Sequence, residues 1–194
     1  MRRSAQFLKS AVLPEDYPAP DRPEVALVGR SNAGKSSLLN AIVGAKAAKV
    51  SQAAGKTRLL NFFDFGQHYR FVDMPGYGFA SRHGSEVLEW EKMITRYLKE
   101  RGNLVGIVLV MDARREWQDE EQWIRESCQK LDLQLIVALN KVDKFRQNEI
   151  AKTKAKFKKL LPEVSIHMVS AEKETGVEDL EEEIFERVAR GKEP

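Results

Sequence analysis

The sequence predicts a three-layer α/β domain, in which helices cover both faces of a mostly parallel sheet of six strands with one antiparallel strand. Segments typical of strands alternate along the chain with segments of helical periodicity. The strand-like segments are 25–28, 57–65, 68–73, 104–111, 133–139 and 164–170. The helix-like segments are 37–43, 87–98, 117–131, 147–161 and 177–188. This alternation favours right-handed crossovers between parallel strands, and it places ligand sites at the carboxyl ends of the strands.

The hairpin and the first residues depart from this pattern. Only Gly66-Gln67 separates segment 57–65 from segment 68–73, which predicts a hairpin and therefore the antiparallel strand. The prolines in residues 1–23 disfavour regular structure there beyond a short piece around 7–12. We therefore expect residues 1–22 to form an arm packed on a domain that spans residues 23–194.

The composition excludes several kinds of site. The chain has 194 residues and a mass of 22.1 kDa, which fits one domain. Cys128 is the one cysteine, so an intrachain disulfide and a cysteine-based metal cluster are excluded. His68, His83 and His167 are scattered without the spacing of metal ligands. No apolar run is long enough to span a bilayer and the first residues lack a signal-peptide core, so we expect a cytoplasmic protein.

The segment from Gly29 to Ser36 matches the phosphate-binding loop, in which two glycines are followed by Lys and Ser. It lies between a strand and a helix, in the order that the motif requires. Glycines allow the backbone to wrap a polyphosphate, and the following helix N-terminus favours anions. Lys35 is expected to reach the β- and γ-phosphates, and the Ser36 hydroxyl is expected to bind Mg²⁺. The motif predicts a nucleotide without saying which one.

Two later segments are expected to sense the γ-phosphate. Asp73 ends a predicted strand, where its carboxylate can hold a water on Mg²⁺ while the Gly76 N–H meets the γ-phosphate. Thr57 follows Gly55 and Lys56, and its hydroxyl can complete the Mg²⁺ shell. An ordinary threonine at the start of a strand is the alternative for Thr57. The predicted metal-binding residues are Ser36, Thr57 and, through water, Asp73.

The segment from Asn140 to Asp143 closes a buried strand and predicts guanine as the base. A carboxylate at Asp143 accepts two hydrogen bonds from the N1–H and N2 amino edge of guanine, a pair that adenine does not offer. Lys141 can cover the ring, Asn140 can brace the phosphate loop, and the Ala171 N–H can meet the guanine O6. The predicted nucleotide-binding residues are Gly29, Arg30, Ser31, Asn32, Ala33, Gly34, Lys35, Ser36, Ser37, Gly55, Lys56, Thr57, Asp73, Met74, Pro75, Gly76, Asn140, Lys141, Val142, Asp143, Val169, Ser170 and Ala171.

The net charge of +3 conceals an uneven distribution. Seven basic residues stand against one acid, Glu149, between Lys144 and Lys159. These basic residues are Lys144, Arg146, Lys152, Lys154, Lys156, Lys158 and Lys159. A basic helix of this kind is either an ordinary solvated face or an RNA-binding surface. We interpret Phe145 and Phe157 as core residues rather than as residues on which RNA bases stack.

The motifs together resemble the EngB family of bacterial GTPases that act in ribosome assembly, within the translation-factor-related P-loop GTPases. The likeness spans nearly the whole chain. The segments that carry it are 7–11, 23–26, 29–40, 55–58, 61–63, 73–78 and 112–114. Two departures are Ala54, where the family usually has Pro, and Asn140, where it often has Thr.

The resemblance implies a Ras-like P-loop GTPase that hydrolyses GTP to GDP and phosphate. Lys35, Asn32, Thr57 and Gly76 are the expected catalytic residues. Tyr77 stands where many GTPases have a water-orienting Gln, so we expect slow intrinsic hydrolysis. Asn32 is a candidate for holding K⁺ near the phosphates, as in related GTPases, and a purely structural role in the loop is the alternative.

The resemblance also implies a monomeric switch that binds GTP or GDP and acts in assembly of the large ribosomal subunit, and is needed for cell division and growth. The partner is then the large subunit or its precursors, with rRNA contacted by the basic helix, and segments 45–57 and 76–84 would order with GTP. A membrane role has little support because the basic helix lacks a broad apolar face. The alternatives are a non-catalytic, nucleotide-dependent ribosome-binding module and an ATP-using P-loop phosphotransferase.

Overall fold

The computed structural model describes residues 5–43, 59–78 and 84–189. Its centre is a seven-stranded sheet in the order β1-β3-β4-β2-β5-β6-β7. The strands are β1 (Ala5–Ala11), β2 (Glu24–Gly29), β3 (Leu60–Phe65), β4 (Tyr69–Asp73), β5 (Leu104–Asp112), β6 (Gln134–Asn140) and β7 (Ser165–Met168). Only β3 is antiparallel to its neighbours, β1 and β4, and every other pairing is parallel. The fold class predicted from the sequence is confirmed.

The sheet has seven strands rather than the predicted six because part of the expected arm forms its edge. The strand β1 pairs with β3, and the Ser10 hydroxyl donates a 2.6 Å hydrogen bond to Oδ1 of Asn61. The prolines that favoured irregular structure begin at Pro14, after β1 has ended. Residues 5–11 therefore keep the backbone N–H groups that a strand needs.

Helices cover both faces of the sheet. They are α1 (Lys35–Val43), α2 (Gly84–Glu100), α3 (Asp119–Lys130), α4 (Gln147–Leu160) and α5 (Val177–Glu183), with a π-helical turn at Ile184–Ala189. One apolar cluster joins the sheet to α1 and α5, and a second joins it to α2, α3 and α4. Phe157 is buried in the second cluster and Phe145 packs against it, as the sequence predicted. No helix within the described ranges is both long and apolar enough to cross a bilayer.

A buried ionic cluster holds the segment before β2. Glu24 is fully buried and receives hydrogen bonds from Arg70, Tyr97 and Arg101. The same two guanidinium groups also donate to the carbonyls of Pro18 and Ala19. These bonds fix the chain that leads from the edge strand to the strand before the phosphate loop.

Candidate functional site

The phosphate loop lies where β2 ends in the middle of the sheet and α1 begins. The five residues between them include Asn32 and Gly34, whose φ angles are 66° and 92°. A Cβ at Gly34 would stand 2.4 Å from Nδ2 of Asn140, and one at Gly29 would stand 2.3 Å from the Val110 carbonyl oxygen. The left-handed backbone at Gly34 requires glycine, and so do the close contacts that a side chain would make at Gly34 and at Gly29.

Lys35, at the end of this loop, and Asp73, at the end of β4, are close enough for their charges to interact. Burial lowers the pKa of Lys35, and the nearby Asp73 carboxylate partly opposes that shift. Burial raises the pKa of Asp73 to about 6, although the charge of Lys35 acts in the other direction. Burial thus disfavours the charged form of each group, and the attraction between the two charges offsets part of that cost.

The buried carboxylate of Asp73 is suited to a nearby cation. Its side chain is 5% exposed, and its Oδ1 is buried without a hydrogen-bond partner among the described residues. A buried carboxylate oxygen without a partner is costly, and a divalent cation or its bound water would offset that cost. These observations fit Mg²⁺ beside Asp73 and Ser36. Gly55, Lys56 and Thr57 lie outside the described residues.

The loop after Asp73 packs directly on the phosphate loop. The Ser31 N–H donates a 2.8 Å hydrogen bond to the Tyr77 carbonyl. A Cβ at Gly76 would lie 2.9 Å from Oγ and 3.0 Å from the backbone N of Ser31, so a larger residue would push the two loops apart. The Trp90 indole N–H donates to the Pro75 carbonyl at 2.8 Å and ties this loop to α2. Residues 79–83 of the segment expected to order with GTP lie outside the described residues.

Asn140 joins the base-binding motif to the phosphate loop. Its Nδ2 donates to the Ala33 carbonyl at 3.0 Å, and its Oδ1 accepts the Ala171 N–H at 3.1 Å. The N–H that we expected to meet guanine O6 therefore donates to Asn140 here. Asn140 is 2% exposed, so these bonds are shielded from water. One side chain connects three strand ends that are far apart in sequence.

Lys141 reaches the phosphate loop in a second way. It adopts a left-handed backbone conformation with a φ of 69°, and its Nζ donates a 2.6 Å hydrogen bond to the Asn32 carbonyl. Its Nζ also lies 3.1 Å from Oδ2 of Asp112, which ends β5. Sequence reasoning used Asp112 only as part of the resemblance and gave it no place in the site. An acidic residue at the carboxyl end of a buried strand was the signal that could have found it.

Asp143 is held as a charged acceptor. Ser170 donates a 2.7 Å hydrogen bond to its Oδ1, and the Lys144 ammonium lies 2.9 Å from its Oδ2. The Ser170 bond and the Lys144 contact keep the pKa of Asp143 below its usual value. Ser170 is fully buried, so its hydroxyl orients the carboxylate. The sequence analysis counted Lys144 as part of the basic helix and therefore missed its contact with Asp143.

Comparison with known proteins identifies the family of this chain. A family model described as 50S ribosome-binding GTPase matches residues 24–141, and the model of the elongation factor Tu GTP-binding domain matches residues 99–190. The probable GTP-binding protein EngB of Bdellovibrio bacteriovorus is 47% identical over 186 residues, which cover 96% of this chain and 93% of that protein. The chain belongs to the EngB family of GTP-binding proteins. The EngB protein of Aquifex aeolicus is 41% identical over 167 residues, or 86% of this chain and 91% of the relative.

Solved structures agree with the EngB assignment. A crystal structure of a probable GTP-binding protein EngB has a TM-score of 0.65 and 27% identity, and the match covers 84% of this chain and 97% of that one. Era in complex with MgGDPNP and nucleotides 1506–1542 of 16S ribosomal RNA has a TM-score of 0.66 and 26% identity, covering 89% and 58% of the two chains. The resemblance, the P-loop GTPase fold and the class of GTP hydrolase are thereby confirmed.

Proposed function

We propose that this EngB-family GTPase is a slow, monomeric, cytoplasmic switch in the assembly of the large ribosomal subunit, and that cell division and growth depend on it. The observation that carries this proposal is the bridge made by Asn140 between the phosphate loop and Ala171. This bridge connects the phosphate end of the site to the base end. Binding of GTP or GDP therefore affects the position of several strand ends, as a switch requires.

The chain's own groups supply the electrostatics of hydrolysis. Water attacks the γ-phosphorus, the bond to the β,γ-bridging oxygen breaks, and GDP and phosphate leave. Lys35 and the N–H groups of the phosphate loop and Gly76 stabilise the negative charge on the transferring group. Lys35 is buried, so its charge would act on the phosphates through a medium that screens it little. Ser36, Thr57 and Asp73 would hold Mg²⁺, which neutralises charge on the β- and γ-phosphates.

The surroundings of Tyr77 support the proposal of slow turnover. Its hydroxyl donates a 2.6 Å hydrogen bond to Glu121, and its side chain is 3% exposed. A phenol that is buried and already bonded does not orient an attacking water. A K⁺ ion held near Asn32 is our candidate for the missing positive charge. Equal phosphate-release rates in K⁺ and Na⁺ buffers would remove this role for K⁺.

The α4 helix supports contact with rRNA. Phe157 is its buried anchor, whereas the lysines Lys152, Lys154, Lys158 and Lys159 are exposed. Exposed lysines on a packed helix form a surface that attracts a polyanion. The name of the matching family model and the rRNA bound to Era point to the same class of partner.

Co-sedimentation with large ribosomal subunits tests the proposal. We expect binding with a non-hydrolysable GTP analogue, weaker binding with GDP, and faster phosphate release when subunits are present. The double variant Lys152→Gln/Lys159→Gln should bind several-fold more weakly. The control Lys99→Gln/Lys130→Gln changes the same charge at exposed positions in the last turns of α2 and α3, and it should bind normally. Equal binding in all nucleotide states would contradict a switch.

A further inference from the structure

In addition to the basic helix α4, a cationic pocket lies beside the phosphate loop. A pocket of about 470 Å³ is lined by the loop residues Arg30 to Ala33 and by the segment that follows β5. Four of its lining side chains are basic and one is acidic: Arg30, Arg114, Arg115, Lys141 and Asp112. Its volume is in the range of pockets that accept a small molecule or one unit of a polymer. The excess of positive charge indicates an anionic occupant.

The single carboxylate in this pocket orients the cations. Asp112 accepts hydrogen bonds from Nε and Nη2 of Arg114 at 2.9 and 2.6 Å, and it also contacts Lys141. The fork of Arg114 is thus fixed, while its remaining N–H groups stay available. Arg115 is exposed and makes no ion pair with any residue that the structure describes. Arg30 donates to Gln118 at 3.2 Å, and its Nη1 is 4.0 Å from Glu120.

The pocket is joined to the basic helix by the next two residues of the same loop. Glu116 forms an ion pair with Lys156 of α4, and the ring of Trp117 meets that of Phe157 edge-on at 6.5 Å. Lys152 and Lys159 are four and three residues from Lys156, so these three lysines share one side of the helix and form what we call the lysine row. That side is the one next to the loop of Arg114 and Arg115. The lysine row and the pocket are therefore neighbours on the surface.

We propose that one stretch of RNA backbone follows the lysine row of α4 and places a phosphate in the pocket of Arg114 and Arg115, against the phosphate loop. This inference rests on the proposed function, and it adds the route by which the RNA partner touches the nucleotide site. A continuous polyanion can reach both features at once, whereas one acidic side chain fills only one. Guanidinium forks bind phosphate through two parallel N–H bonds, and arginine is the residue type that lines the pocket. Bound RNA would thus add negative charge beside Ser31 and Asn32.

Arg115→Gln is the variant that tests the pocket, because Arg115 makes no ion pair with another residue in the described ranges that its loss would break. Arg96→Gln is the matched control, since Arg96 is exposed on α2. The probe is protein-free large-subunit rRNA, titrated at several salt concentrations with the full chain bound to a non-hydrolysable GTP analogue. Arg115→Gln should weaken binding about three- to ten-fold and reduce the slope of log K against log salt by about 0.7–0.9, which corresponds to one lost phosphate contact. Arg96→Gln should change neither value.

The outcomes separate this inference from the proposed function. If Arg115→Gln and Arg96→Gln give the same salt slope while Lys152→Gln/Lys159→Gln still weakens binding, the pocket proposal is overturned and the function stands. A large loss of GTP affinity in Arg115→Gln, with rRNA binding unchanged, would make the pocket a nucleotide subsite instead. Weaker binding to whole subunits but not to free rRNA would assign the pocket to an acidic ribosomal protein. If the unaltered chain binds neither probe, the proposed function itself fails.

Discussion

The hydroxyl of Tyr77 donates a 2.6 Å hydrogen bond to Oε1 of Glu121, and both side chains are buried. The other oxygen of Glu121 accepts the Gln118 N–H at 3.0 Å, which caps the start of α3. The Tyr77 main chain meanwhile binds Ser31 of the phosphate loop. One carboxylate therefore ties the residue after Gly76 to the beginning of a helix on the surface. The loop of Gly76 and the start of α3 are therefore connected by a single side chain.

Tyr77→Phe tests whether the Tyr77 hydroxyl serves structure or chemistry. The change leaves Oε1 of Glu121 buried without its partner, and we expect a loss of about 1–3 kcal/mol in the free energy of unfolding. The rate of GTP hydrolysis should stay within about two-fold, since the hydroxyl is directed at Glu121. Urea denaturation and single-turnover phosphate release measure the two quantities. A tenfold slower reaction in a variant of unchanged stability would show that the phenol takes part in catalysis.

Asp143→Asn is expected to change which base is preferred. An amide offers one acceptor and one donor, so it loses the second bond to the guanine amino group and matches the N1–H and carbonyl edge of xanthine instead. GTP affinity should fall about a hundredfold, which is about 2.7 kcal/mol, and XTP should gain affinity. Calorimetric titration with GTP, XTP and ATP measures this.

Ser170→Ala is the matched control for the base preference. It removes the 2.7 Å bond that orients the carboxylate but leaves the charge of Asp143 in place. We expect a smaller loss of GTP affinity and no gain for XTP. An unchanged preference for GTP in Asp143→Asn would remove the basis of guanine recognition.

Gly34→Ala tests the close packing of the phosphate loop. The new Cβ would stand 2.4 Å from Nδ2 of Asn140, at a φ of 92° that side chains rarely adopt. We expect GTP affinity to be lost at least tenfold and the melting temperature to fall. Gly102→Ala is the control, because no atom lies within 4 Å of a Cβ at that position. Normal GTP binding by Gly34→Ala would contradict the bridge through Asn140.

The Glu24 cluster predicts how stability depends on pH. Burial by itself raises the pKa of Glu24, but the hydrogen bonds from Arg101 and Tyr97 outweigh it, so the folded pKa lies below 4.5. The stabilisation is therefore complete well above pH 4.5 and is lost as the pH falls through the lower folded value. The free energy of unfolding, measured by urea denaturation between pH 7 and pH 3, should decrease on acidification.

Glu24→Gln isolates the contribution of that carboxylate. It leaves Arg70 and Arg101 without a buried counter-charge, and we expect a loss of about 3–5 kcal/mol at pH 7 together with a weaker dependence on pH. Asp21→Asn removes another partner of Arg70, one whose side chain is 48% exposed, and should cost less than about 1 kcal/mol. Equal effects of the two changes would mean that burial does not set the strength of these pairs.

The sequence predicted the sheet layers and most strands because their patterns are local. The run in β5 is apolar throughout, and all nine of its residues are buried. The sequence predicted only a short regular piece around 7–12 where β1 lies, because the pairing of β1 depends on β3, about 50 residues later, and its alternation of exposed and partly buried residues is irregular. A register shift between Phe7 and Lys9 disrupts the alternation further.

In the candidate site, the motif residues could be predicted but their connections could not. The positions of Lys35, Asp73 and Asp143 follow from spacing relative to strands. The contacts of Tyr77 with Glu121 and of Asp112 with Lys141 join residues that are 44 and 29 positions apart, and no local pattern encodes them. Such contacts depend on the order of the strands in the sheet. The sequence showed that strands and helices alternate but did not show that order.

The central place of β2 has a consequence for synthesis of the chain. The phosphate loop is translated early, yet Asn140 and Ala171, which complete its surroundings, belong to strand ends made more than a hundred residues later. A nascent chain that is still short of these residues carries the loop without the base-binding wall. Tight capture of guanine nucleotide therefore has to wait until the ribosome has synthesised the chain past Ala171.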